Sequence, residues 1–334
     1  MGIPAHGLLD FSHGQDAHAT GMCLHAKVKF CLSPLRAWRP WREILPCVRA
    51  LQNMSVPLFL ILLILGLPAA VFGEVGVFQV PAVGQAPGVA FHYRVPDSRP
   101  VGVLLLVPGY NGSGEAMLDR RWSRFADGQG LVLLAPTFHT SPEELKKEKG
   151  YYYPEQGSGP QVERALAEVG RRTEVKTDRI LIFGFSAGAH FAHRFALWKP
   201  ERVAAFVAYS AAWWSEPNAS LKNVPALIMC GESDPRFEST REFFQKALSL
   251  HLPWVWRSYK NTGHELTPAA RSMAEAFLAH YARQLNEGGK SDKGDVIYGD
   301  IQRYRTASDA GSIPEAVRIE LPSRAVADTW MKEE

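Results

Sequence analysis

From residue 74 to residue 286 the chain repeats one pattern: a short apolar run, a turn of Gly, Pro, Asn or Asp, then a stretch with apolar residues three and four apart. The apolar runs at 101–107, 131–135, 179–183, 203–208, 226–230 and 254–260 predict strands. They lack polar alternation, as expected of strands buried on both faces. The amphipathic stretches at 116–127, 161–172, 189–197, 243–250 and 269–285 predict helices. Two earlier runs, 75–80 and 89–95, read as strands joined by the turn-rich 83–88. Strands alternating with helices imply an α/β fold with a mostly parallel central sheet and helices on both faces. Ligands of such sheets bind at the carboxyl ends of the strands.

The flanks read differently. Residues 1–53 hold scattered His, Trp and Cys without periodicity and read as an extension with no core, consistent with translation starting at Met54. Residues 54–73 are apolar, interrupted by Pro57 and Pro68, and end in Val71-Phe72-Gly73. This predicts a secretory signal cut after Gly73, and hence a secreted or periplasmic protein. The alternative is an uncleaved membrane anchor over 56–72, the one route by which a membrane becomes a partner. Residues 287–294 are a Gly/Lys/Asp linker by composition, and the tail to residue 334 carries no functional reading.

Composition narrows the classes. With 46% hydrophobic and 21% charged residues among 334, the chain can bury one large core. A net charge of +3 without a long Lys/Arg run gives no reason to expect nucleic acid. Of four cysteines only Cys230 lies in the body, inside a predicted strand, so there is no disulfide framework. The His and Cys residues before Met54 match no metal-ligand spacing, and no metal is expected. A monomer is expected.

The candidate chemistry centres on Gly184-Phe185-Ser186-Ala187-Gly188, between the 179–183 run and the 189–197 helix. Strand, Gly-x-Ser-x-Gly, helix is the setting of a nucleophile elbow, in which a strained turn presents the serine hydroxyl above the strand ends. A serine hydroxyl needs a base within hydrogen-bond reach, and the base needs an orienting partner. Asp234 follows the 226–230 strand and His264 follows the 254–260 strand, so both fall at the same sheet edge as Ser186. Glu232 and Glu238 are rivals for the acid. His139, His190 and His193 read as lining, packing or surface residues. The N–H groups of Ala187 and of Tyr110, in Pro108-Gly109-Tyr110-Asn111-Gly112, are the expected oxyanion donors. Phe185, Trp213 and Trp214 are candidate substrate contacts. Trp213 and Trp214 have a packing role as the alternative.

With these residues assembled, the chain resembles the α/β-hydrolase superfamily over roughly residues 75–286. Within it, the stretch from Val175 to Gly188 is similar to secreted esterases of the poly(3-hydroxybutyrate) depolymerase and feruloyl esterase group. Those usually carry His-Gly at the oxyanion loop. Pro108-Gly109-Tyr110 is instead similar to bacterial cutinases and polyester hydrolases. The resemblance implies a cofactor-free carboxylic ester hydrolase. Hydrolases of this fold often carry a helical cap after the strand that follows the elbow helix. Here residues 209–224 are too few for one, so no cap domain and an open site are expected. The expected partner is then a bulky, aromatic or polymer-bound ester. The rival functions are a serine peptidase or acyltransferase on the same scaffold, and a surface binding protein with a vestigial site.

Overall fold

The computed structural model describes residues 73–287 and 296–332. The expectations for residues 1–53, for the export segment apart from Gly73, and for the linker apart from Glu287 lie outside those residues. The central sheet has eight strands: β1 (Val75–Val80), β2 (Val89–Arg94), β3 (Gly102–Val107), β4 (Leu131–Pro136), β5 (Ile180–Phe185), β6 (Val203–Tyr209), β7 (Ala226–Gly231) and β8 (Trp254–Tyr259). Their spatial order is β1-β2-β4-β3-β5-β6-β7-β8. The pairs from β4 to β8 are parallel, while β1–β2 and β2–β4 are antiparallel. Burial follows the patterning. Strands β3, β4, β6, β7 and β8 are buried at every position, whereas the edge strand β1 alternates and leaves Val75 and Val77 exposed.

Helices cover both faces. They are α1 (Gly114–Met117), α2 (Arg120–Gln129), α3 (Pro142–Lys146), α4 (Ser158–Thr173), α5 (Ala187–Trp198), α6 (Phe237–Ser249) and α7 (Pro268–Asn286). Trp122 of α2 is fully buried against Phe183 of β5, with ring centroids 4.9 Å apart. Arg121 ties α2 to α7 through Glu275 at 2.6 Å. From β3 the chain steps to β4 on one side and then returns to β5 on the other. The crevice at that reversal, between the ends of β3 and β5, is where an open α/β sheet holds its ligand.

Two elements differ from the sequence expectation. Helix α6 starts at Phe237 rather than near residue 243, because its first turn is polar on the outside and shows little apolar period. Helix α3 lies between β4 and α4, in a stretch for which the patterning predicts no element. It is set by a capping box in which the Ser141 hydroxyl accepts from the Glu144 N–H and the Glu144 carboxylate accepts from the Ser141 N–H.

Beyond the linker, residues 297–330 form a second, antiparallel sheet of order β10-β9-β11 and a closing helix. The strands are β9 (Ile297–Asp300), β10 (Arg305–Ala307) and β11 (Arg318–Leu321), and the helix is α8 (Arg324–Trp330). Trp330 is fully buried, and its indole N–H donates to the Trp256 carbonyl at 2.6 Å. This anchors the small sheet on β8.

Candidate active site

Strand β5 ends at Phe185 and helix α5 begins at Ala187, so Ser186 makes the whole turn. Its φ of 55° and ψ of −116° lie outside the regions that L-residues favour. Surroundings over-determine this conformation. The Ser186 N–H donates to the Tyr209 carbonyl at 2.8 Å, extending the β5–β6 pairing, and its own carbonyl accepts from the Ala189 N–H at 3.0 Å. The crossing is tight enough that a Cβ on Gly188 would stand 2.1 Å from the Val107 carbonyl oxygen. Only glycine lets α5 start this close to β3.

The structure brings Asp234 and His264 to this serine. His264 Nε2 lies 2.8 Å from Ser186 Oγ, and His264 Nδ1 lies 2.7 Å from Asp234 Oδ2. The network is consistent with one tautomer: Nδ1–H donates to the carboxylate and Nε2 accepts the serine proton. The Asp234 side chain has no exposed surface. Its other oxygen accepts from the Arg236 N–H at 3.0 Å and from Arg236 Nη1 at 3.1 Å. Burial alone would raise the Asp234 pKa. The hydrogen bonds from His264 and Arg236 outweigh it and hold the carboxyl at about 2. The rival acids sit elsewhere. Glu232 accepts from Ser258 Oγ at 2.7 Å, and Glu238 pairs with Arg241 on the exposed side of α6.

Backbone pairing carries these two loops together. The Glu232 N–H donates to Tyr259 O at 2.8 Å, and the Ser233 N–H donates to Thr262 O at 2.9 Å. A Cβ on Gly231 would lie 2.3 Å from that same Thr262 oxygen, so glycine is what allows the acid and base loops to touch.

The loop after β3 runs beside the nucleophile: a Cβ on Gly109 would lie 3.8 Å from the Ser186 Cβ. Tyr110 follows it and is 47% exposed. Ala187 is the first residue of α5, where N–H groups have no acceptor within the helix and the macrodipole favours negative charge. Side chains from the segment after β4 hold the Gly109 loop. Asn111 exchanges two hydrogen bonds with the Thr140 backbone, at 2.9 and 3.2 Å, and the Tyr151 hydroxyl donates to the Gly109 carbonyl at 3.2 Å.

The aromatic candidates separate. Phe185 lies over the His264 imidazole at a centroid distance of 4.9 Å and so backs the base. Trp213 is 56% exposed beside Tyr152 and His190. Trp214 does not join it. Its indole is stacked on Phe243 of α6 at 4.1 Å and packs against His193, filling the gap between α5 and α6. Of the two expectations for Trp214, substrate contact and packing, these contacts favour packing.

Sequence reasoning missed a layer of positioning residues on α5. His190 is buried. Its Nδ1–H donates to the Ser186 carbonyl at 3.0 Å, and its Nε2 accepts from the Ala212 and Trp213 N–H groups at 3.1 and 3.0 Å. Burial, aided by the Arg194 charge, pushes its pKa down to about 3, so the ring is neutral. His193 repeats the device between Ala189 O and Ser215 N–H. Arg194 reaches Ser215 Oγ, Trp213 O and Tyr152 O. The signal was two histidines and an arginine, at 190, 193 and 194, on one face of an otherwise apolar helix. Cys230, as expected, is a buried strand residue, and burial raises its thiol to about 11.

A profile of the dienelactone hydrolase family matches residues 94–286, more than half of the chain. The chain belongs to this α/β-hydrolase family and is a carboxylic ester hydrolase. A search of curated protein sequences finds no match. Among solved structures, the chain is similar to an S-formylglutathione hydrolase from Agrobacterium tumefaciens, with 21% identity, a TM-score of 0.51, and coverage of 65% of this chain and 98% of the other. It is also similar to a ferulic acid esterase, with 17% identity, a TM-score of 0.53, and coverage of 64% and 98%. A poly(3-hydroxybutyrate) depolymerase from Bordetella parapertussis shows 18% identity, a TM-score of 0.48, and coverage of 66% and 93%. At these identities the likenesses concern the fold alone.

Proposed function

We propose that the protein is an exported serine esterase that forms an acyl-enzyme and accepts bulky, aromatic or polymer-bound esters. The observation that carries the chemistry is the unbroken chain from Asp234 to His264 to Ser186, with both hydrogen bonds below 3 Å. Ser186 Oγ attacks the ester carbonyl while His264 Nε2 takes its proton. Asp234 stays ionised and stabilises the imidazolium that forms. The carbonyl oxygen, now an oxyanion, faces the Tyr110 and Ala187 N–H groups. Such donors contribute about 10²–10³ in rate each in comparable sites. Collapse expels the alcohol, which takes the proton from His264. Water then repeats the sequence and releases the acid.

The substrate reading rests on shape. The β6–β7 connection, residues 210–225, holds only the single 3₁₀ turn Ala219–Leu221. Tyr110 and Trp213 stand exposed on the rim, offering aromatic faces to an acyl group too large for an enclosed pocket. Export by residues 54–73 belongs to the same proposal and rests on the sequence pattern. The test compares kcat/KM on short acyl, feruloyl and aromatic polyester substrates. Preference for the last two supports the reading, and turnover confined to small free acyl esters contradicts it.

A further inference from the structure

A second cleft of about 740 Å³ opens between β8, the start of α6 and the small C-terminal sheet. None of Ser186, Asp234 and His264 lines it. Its walls carry four cations, Arg241, Arg257, Lys260 and Arg303, against one carboxylate, Glu232. That carboxylate is engaged by the Ser258 hydroxyl at 2.7 Å. Arg241 and Arg303 already have carboxylate partners, the exposed Glu238 and the buried Asp300.

Arg257 is the exceptional member. It is only 6% exposed, and no carboxylate among the described residues pairs with it. Its guanidinium lies over the Tyr304 ring at 4.1 Å and the Tyr259 ring at 5.1 Å, and Nη2 donates to the Lys332 carbonyl at 2.7 Å. A buried cation without a counter-charge is costly, and buried charges are ordinarily paired. The two aromatic faces and one carbonyl offset part of that cost and fix the plane of the fork. The remaining donors suit a carboxylate or phosphate, which a guanidinium binds through two parallel hydrogen bonds. Phe237 and Tyr304, both on the wall, present aromatic surface beside it.

We propose that this cleft is a binding site for a small organic anion, a flat apolar body bearing a carboxylate or phosphate. The anionic group meets Arg257, with Lys260 at the rim, and the body lies against Phe237 and Tyr304. The site is separate from ester hydrolysis and does not depend on the proposed mechanism.

Isothermal titration of the full chain with 1-naphthyl phosphate tests it, with 1-naphthol and inorganic phosphate as the neutral and body-free controls. The expected result is saturable one-to-one binding of 1-naphthyl phosphate, at least tenfold tighter than either control. Arg257→Gln should weaken it tenfold or more. Because Arg257 also anchors the C-terminal sheet, the exposed Lys260→Glu provides a second variant that leaves the core packing alone, and it should weaken binding several-fold. Equal affinity for 1-naphthol, or unchanged affinity in Lys260→Glu, overturns the proposal. So does binding that appears only after Glu333 and Glu334 are removed, since the chain's own carboxylates would then be the anion.

Discussion

The two sides of the active site are held in different ways. On the acid–base side, the loops bearing Asp234 and His264 continue the β7–β8 pairing through backbone hydrogen bonds. On the acyl and oxyanion side, the loops bearing Gly109 and Trp213 are held by side chains: Asn111, Tyr151, His190, His193 and Arg194. Backbone pairing follows from strand order and tolerates many side chains. Side-chain staples require particular residues; Tyr151, His190, His193 and Arg194 are buried here, while Asn111 is exposed. The first side therefore places the acid and the base, and the second fixes the shape that a substrate meets.

Changes on the first side should abolish chemistry without unfolding the protein. Ser186→Ala is expected to cost about 10⁶ in kcat, the loss found when a serine enzyme loses its nucleophile. Steady-state kinetics with circular dichroism checks both halves of that statement. Asp234→Asn should cost about 10⁴, because the amide reverses the hydrogen bond that sets the imidazole tautomer. Glu232→Gln should leave the rate within a few-fold, since its carboxylate answers Ser258. A larger loss from Glu232→Gln than from Asp234→Asn would reassign the acid.

Changes on the second side should act on stability and selectivity. His190→Ala strands the Ala212 and Trp213 N–H groups. Unsatisfied donors cost about 1–3 kcal/mol each where fully buried, and these are partly buried, so denaturant titration should show a loss of up to about that size. Trp213→Ala should lower kcat/KM selectively on aromatic esters, by up to about tenfold, the equivalent of a stacking contribution of about 0.5–1.5 kcal/mol. Trp214→Ala should instead lower stability with no change in the ratio between substrates. If the two tryptophan variants behave alike, the division between them fails.

A further effect is on pH dependence. His190 binds its proton at about 3 in the folded protein and near 6.5 when unfolded. Between those values the unfolded chain holds more protons, so stability rises with pH across that window and its His190 contribution is complete above about 6.5. Asp234 has the same sign lower down. Its contribution is present above the ordinary carboxylate value near 3.9 and is lost as pH falls through about 2. Stability measured from pH 7 to pH 4 should fall, and His190→Gln should flatten part of the slope.

This division also marks what the chain discloses before folding. The strand runs, the Ser186 turn and the placement of Asp234 and His264 follow from apolar patterning and chain order, which are local properties. The roles of His190 and Tyr151 depend on partners 22 and 42 residues away, in loops whose course no periodicity fixes. Trp213 and Trp214 have the same composition and neighbouring positions, and only packing against Phe243 separates them. The C-terminal sheet is built of strands of three or four residues, too short for alternation to register.

The most direct measurement is rapid-quench mass spectrometry of the wild-type protein during turnover of an activated aromatic ester. A burst of one alcohol per protein molecule and an acyl adduct on the peptide that contains Ser186 are expected, both absent in Ser186→Ala. An adduct on any other residue, or ester hydrolysis in correctly folded Ser186→Ala within tenfold of wild type, would contradict Ser186 as the nucleophile.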